Sequence, residues 1–167
     1  MKVDGAAVDA AAAGSNAGAG AGDTTVAAGA PPTRGTLERK NTDHNRSGIT
    51  DTYKGHHLIP VSEAQQFDVM QHAADTLGYD INRGSNGISL PSKVAESLAT
   101  GLPLHNGMHL SAYFALARTR LRSLQIDFDA GVVTDSTLLG EIAAIEDKMR
   151  SDLVNDRIRL QYGDTRP

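Results

Sequence analysis

Cysteine is absent from the 167 residues. That excludes a disulfide framework, thiolate zinc sites and a cysteine nucleophile, and it suits folding in a reducing compartment. A surplus of positive charge is missing too: 16 Lys and Arg against 20 Asp and Glu give a formal net charge of −4. Phosphate neutralisation supplies much of the affinity of proteins for nucleic acid. Any such contact must therefore be local here, or be helped by a bound divalent cation. No apolar run approaches the roughly 18 residues of a membrane span. The N-terminus has neither the charged start nor the leucine-rich centre of a secretory signal, so export is expected to use another route. No internal repeat is visible.

What is present is unevenly spread. Residues 1–30 hold 12 Ala and 6 Gly. Ala favours helix, Gly repeatedly opposes it, and no apolar stripe runs through the segment. Residues 1–48 read as a flexible linker or tail of the kind that tethers domains, and residues 49–167 as the folded domain.

Within the domain, Thr52 to Ile59 reads as a short strand ending at Pro60. Ser62 is placed to cap a helix through Phe67, Met70, Ala74 and Leu77, which Gly78 ends. A polar turn over Ile81 to Ser85 leads to Asn86-Gly87, a tight-turn dipeptide, and then to a strand Ile88-Ser89-Leu90 stopped by Pro91. Lys93 to Ala99 is a short helix closed by Gly101. A longer helix is expected from about Asn106, with Met108, Tyr113, Leu116 and Leu121 on its apolar face. A last amphipathic helix runs from about Ser136 to Tyr162. Short strands among several helices make the chain α+β.

Six histidines occur, and four form two patterned groups. His56 and His57 are adjacent at a strand end, where local twist can turn both side chains into one cleft. His105 and His109, four apart near the start of the expected helix, would share one helix face and can grip one metal ion. Two helix histidines and one strand histidine give three neutral nitrogen ligands with positions left open, which is the pattern of a catalytic metal site. The remaining histidine, titrating near neutrality, is suited to deprotonating water. His44 and His72 have no such partner and are expected to take no part in catalysis.

Three ordered motifs, Gly55-His56-His57-Leu58-Ile59-Pro60, Asn86-Gly87-Ile88-Ser89-Leu90-Pro91 and Leu104-His105-Asn106-Gly107-Met108-His109 with Tyr113, resemble the GHH/AHH group of toxin nucleases in the HNH, or ββα-metal, superfamily. The resemblance covers roughly residues 50–122. It implies a small ββα-metal core, here surrounded by further helices. It also implies His56, His105 and His109 as metal ligands, His57 as the general base and Asn86 as the residue that orients the base and fixes its loop. Tyr113 matches a recurrent position for which phosphate contact and packing both stay open. The segment after Gly131 lies outside the resemblance, as a completion of the core or a partner surface.

The function so implied is endonucleolytic hydrolysis of DNA with one divalent metal ion. All-histidine ligation suits Zn, Ni or Mn better than Mg by softness, although members of the superfamily work with Mg. Arg118, Arg120 and Arg122, close behind the expected metal helix, are candidates for phosphate contacts. Family members are commonly the C-terminal toxins of larger secreted effectors, type VI secretion proteins included. The implied partners are thus an upstream effector domain and a cognate immunity protein, and the implied place of action is the cytoplasm of a target cell. Two other readings stay open: an RNase of the same fold, and a non-catalytic binding module in which all four histidines hold structural zinc.

Overall fold

A computed structural model describes residues 35–39 and 52–160. The Ala/Gly-rich tract, residues 40–48 of the expected linker, His44 and the expected helix end at Tyr162 lie outside the described residues. Strand β1 (Tyr53–His57) pairs antiparallel with β2 (Gly87–Pro91), placing Tyr53 opposite Pro91 and His57 opposite Gly87. Helices α1 (Val61–Ala64) and α2 (Asp68–Leu77) and a 3-10 turn (Gly84–Asn86) lie between the strands. Helices α3 (Val94–Thr100), α4 (Ser111–Asp129) and α5 (Asp135–Val154) follow. This is the expected α+β architecture.

Three expectations need correction. The helix expected from Ser62 to Leu77 is two helices. Phe67 between them is extended, with φ −122° and ψ 125°, and the backbone amide of Val69 donates to Gln125 Oε1 on α4 at 2.9 Å. That cap comes from a distant helix, so no local pattern announces it. The helix expected from Asn106 begins only at Ser111. The Asn106-Gly107 turn chemistry prevails over the four-residue histidine spacing. Both ends of the loop are tied elsewhere: the His105 amide donates to the Pro91 carbonyl at 2.7 Å and the Leu110 amide to the Leu160 carbonyl at 2.8 Å. The last helix ends at Val154, where Asp156 adopts φ 53°.

The domain also begins earlier than residue 49. The Gly35 amide donates to the Ala74 carbonyl at 2.7 Å, Thr36 exchanges bonds with Tyr79 and Ile81, and Leu37 is buried in the core. A Cβ on Gly35 would lie 2.0 Å from the Tyr79 carbonyl oxygen, so only glycine permits this approach. A single buried leucine in a polar stretch carries no periodicity, which is why the segment reads as linker.

Two apolar clusters meet along α4 and α5. Ile59, Met70, Tyr79 and Ile81 pack with Leu121, Leu124, Leu138 and Ile142, while Leu58, Ile88 and Leu90 pack with Tyr113, Ala117, Met149 and Leu153. The neighbours Leu58 and Ile59 thus enter opposite clusters and pin the chain just beyond the histidine pair from both sides. Residues 113, 117, 121 and 124 form one helical stripe through both clusters. Helix α5, outside the resemblance, completes the core. It also holds the 3-10 turn: Arg150 donates to the carbonyls of Gly87 and Ser85 at 3.0 and 2.6 Å. Buried Glu146 accepts a bidentate pair from Arg83 and a hydrogen bond from Tyr79.

Candidate active site

The end of β1, the start of α1 and the loop before α4 enclose a cleft of about 440 Å³, lined among others by Arg39, His56, His57, Gln65, His105 and His109. His56 and His57 are 4% and 8% exposed, and the two loop histidines are half-buried. One nitrogen from each of His56, His105 and His109 lies within 4.8 Å of the others. The ring of His56 stands 5.0 Å from that of His105 and 4.7 Å from that of His109.

The donor set fits a divalent cation. His105 Nδ1 and His109 Nε2 approach to 3.4 Å. Metal–nitrogen bonds of about 2.0–2.1 Å at a tetrahedral angle put two ligand nitrogens about 3.3–3.4 Å apart. Imidazole must be neutral to ligate, and both rings are biased that way. Burial, His109 and Lys54 lower the His105 pKa to about 4, against the opposing effect of a hydrogen bond to the Gly55 backbone. Burial and then Arg39 lower that of His109.

Tyr113 fixes the third ring. It is fully buried, and its hydroxyl donates to the Leu58 carbonyl at 2.7 Å, with the His57 carbonyl at 3.2 Å. Burial raises its pKa, which keeps the hydroxyl protonated. With its one proton directed to the carbonyls, the oxygen accepts from His56 Nε2–H at 2.9 Å. His56 is thereby held as the Nε2–H tautomer, in which Nδ1 is the nitrogen that could ligate a cation. A contact of this kind orients a metal-binding imidazole and raises its basicity. The phosphate-contact role for Tyr113 is corrected: a side chain with no exposed surface packs and positions, and does not meet substrate.

Asn86 braces the backbone: its side chain bonds to Ile59 and Ile81, not to His57. Its Oδ1 accepts from the Ile59 amide at 2.8 Å, and its Nδ2 donates to the carbonyls of Ile81 and Ile59 at 2.8 and 3.2 Å. These contacts tie the turn before β2 to the chain that follows β1. Asn82 Oδ1, by contrast, lies 3.3 Å from His57 Nε2. Asn82 carries no motif, and only the fold reveals it.

The arginine assignments shift as well. Arg118 makes a bidentate pair with Glu63 of α1, and Arg120 is tied to buried Asp152, which Arg157 also meets. These two hold helices together. Arg122 is exposed, but nine residues from Tyr113 it falls on roughly the opposite face of α4. Among the described residues, the cations that act on His105 and His109 are Arg39, in the cleft lining, and, for His105, Lys54 of β1, both exposed.

One family model matches residues 37–149: AHH, a nuclease family of the HNH/ENDO VII superfamily with conserved AHH. The chain belongs to this family. In it the histidine pair is preceded by Gly55, so the motif reads Gly-His-His. The match starts at Leu37, inside the segment packed against α2, and ends within α5, so it spans the lead-in segment and the last helix that the motif resemblance omits. Membership makes the chain a nuclease-type hydrolase whose substrate is nucleic acid. No curated protein and no solved structure matches.

Proposed function

We propose that this AHH nuclease is a metal-dependent endonuclease that hydrolyses phosphodiester bonds of DNA. The observation that carries the reading is the division of labour among four histidines. Three converge their nitrogens on one point, while His57, on the same cleft wall, is left out of that group. A divalent ion held by His56, His105 and His109 would supply charge stabilisation at the scissile phosphate and the leaving oxygen. His57 takes a proton from water as the water oxygen bonds to phosphorus and the phosphorus–oxygen ester bond breaks. Arg39 and Lys54 offer local positive charge to a phosphate backbone, which answers the acidic balance of the whole chain.

The setting we propose is that of a toxin: the C-terminal part of a secreted effector, acting in the cytoplasm of a target cell and neutralised at home by an immunity protein. The resemblance to toxin nucleases and the Ala/Gly-rich N-terminal tract support it. Co-purification with the product of the adjacent gene tests the immunity partner, and failure to co-purify counts against it.

Plasmid DNA and RNA, each incubated with wild type and with His57→Ala, with and without chelator, test the activity. The expected outcome is DNA cleavage by wild type alone, abolished by chelator. Full activity of His57→Ala with metal present overturns the mechanism, and cleavage of RNA only moves the substrate to RNA.

A further inference from the structure

Asn82 lies outside every motif of the sequence, yet its side chain meets His57. It is 7% exposed. Its amide nitrogen has two protons and two acceptors: the Glu38 carbonyl at 3.0 Å and Asp80 Oδ1 at 3.0 Å. Neither a carbonyl nor an ionised carboxylate can donate. The amide therefore cannot flip, because the reversed orientation would set its oxygen against two acceptors. Asp80 Oδ1 also accepts from the Asn82 backbone amide at 2.9 Å, which fixes the turn that carries the side chain. The Asn82 oxygen is thus committed to face His57 Nε2 at 3.3 Å, and an amide oxygen only accepts.

We propose that Asn82, held by Asp80 and by the Glu38 carbonyl of the lead-in segment, is the positioning residue of the general base: it locks His57 as the Nε2–H tautomer, so that Nδ1 is the nitrogen that takes the proton from water. The inference rests on the reading of His57 as base and deepens it. When Nδ1 accepts the proton, Nε2 keeps its own, so the same hydrogen bond serves both states and the ring need not turn during the cycle. The Asn82 acceptor on His57 is neutral, with the carboxylate of Asp80 one hydrogen bond behind it. The lead-in segment becomes part of the catalytic apparatus, because Glu38 supplies one of the two acceptors that set the amide.

The test uses the full chain labelled with ¹⁵N-histidine, with His57 assigned by comparison with His57→Ala. Two-bond proton–nitrogen spectra of the imidazoles read the tautomer directly. Wild type is expected to show the Nε2–H pattern at His57. Asn82→Leu is expected to lose that pattern and about 100-fold in kcat, with KM and zinc affinity changed by less than about 3-fold. Asp80→Asn, whose side-chain oxygen can still accept from the Asn82 amide, is expected to keep the pattern. An Nδ1–H pattern in wild type overturns the proposal even if no variant folds, and so does an Asn82→Leu protein with undiminished kcat. The spectra need no activity, so a wild type that cleaves nothing refutes the nuclease reading separately from the tautomer.

Discussion

His56 and His57 leave the end of a strand braced on every side, whereas His105 and His109 stand on the loop between α3 and α4. The strand half is nearly sealed from solvent and held by Tyr113, Asn82 and the Asn86 clamp on Ile59. The loop half is half-buried, with Met108 91% exposed between the two histidines. Three imidazoles drawn from both halves meet on one point, and the contrast teaches how. One wall of the site is preformed by hydrogen bonds within the fold. The other is anchored at its ends, to Pro91 and Leu160, and the nitrogens it brings are kept neutral by burial and nearby cations.

The largest effect on stability is expected on the braced side. Asn86→Ala removes the partners of the Ile59 amide and of two carbonyls, all buried. It should cost about 2–4 kcal/mol in denaturant unfolding. A change below ~1 kcal/mol would show that the strand end is not held this way. Tyr113→Phe comes next. It keeps the packing but strips His56 Nε2 of its acceptor, and should weaken zinc binding about 10–100-fold in a chelator competition. Unchanged affinity would detach Tyr113 from the ligand.

The loop side is sharpened by acid. The pKa of His105 lies at about 4 and that of His109 below its ordinary value in the folded chain, against about 6.5 unfolded. Between these values the unfolded chain binds more protons, so the stability of the metal-free protein is full above about pH 6.5 and falls as pH drops toward 4. His105→Gln should flatten that slope in thermal melts taken across the range, and an equal slope in the variant would place its origin elsewhere. The smallest effect separates the cations. Arg39→Ala should weaken DNA binding with a salt slope reduced by about 1. Arg118→Ala, which loses only its partner Glu63, should leave that slope unchanged. The reverse order would return the phosphate contact to α4.

The sequence displayed the site's chemistry better than its supports. His56, His57, His105 and His109 were legible because residue type and order carry them, and β2 was legible because Asn86-Gly87 and Pro91 bracket it. The supports were not. Asn82 meets His57 across a turn, Gln125 caps α2 from another helix, and Leu37 enters the core from a polar stretch. Each is a tertiary contact with no period to betray it. His105 and His109 were expected at the start of a helix because an apolar face was read from Asn106 onward and their four-residue spacing agreed with it. Their convergence was right although the helix was not, because a loop tied at Pro91 and Leu160 can bring together residues that helical geometry would also have joined.

The central claim is that three histidines serve the cation and the fourth serves water. Zinc stoichiometry and affinity of His57→Ala, beside His105→Ala and His109→Ala, test it most directly. The account predicts one ion per chain with nearly unchanged affinity in His57→Ala, together with loss of cleavage, and a large loss of affinity in the other two. Loss of the ion from His57→Ala as well would mean a closed four-histidine site, and would contradict the account in favour of a zinc-stabilised binding module.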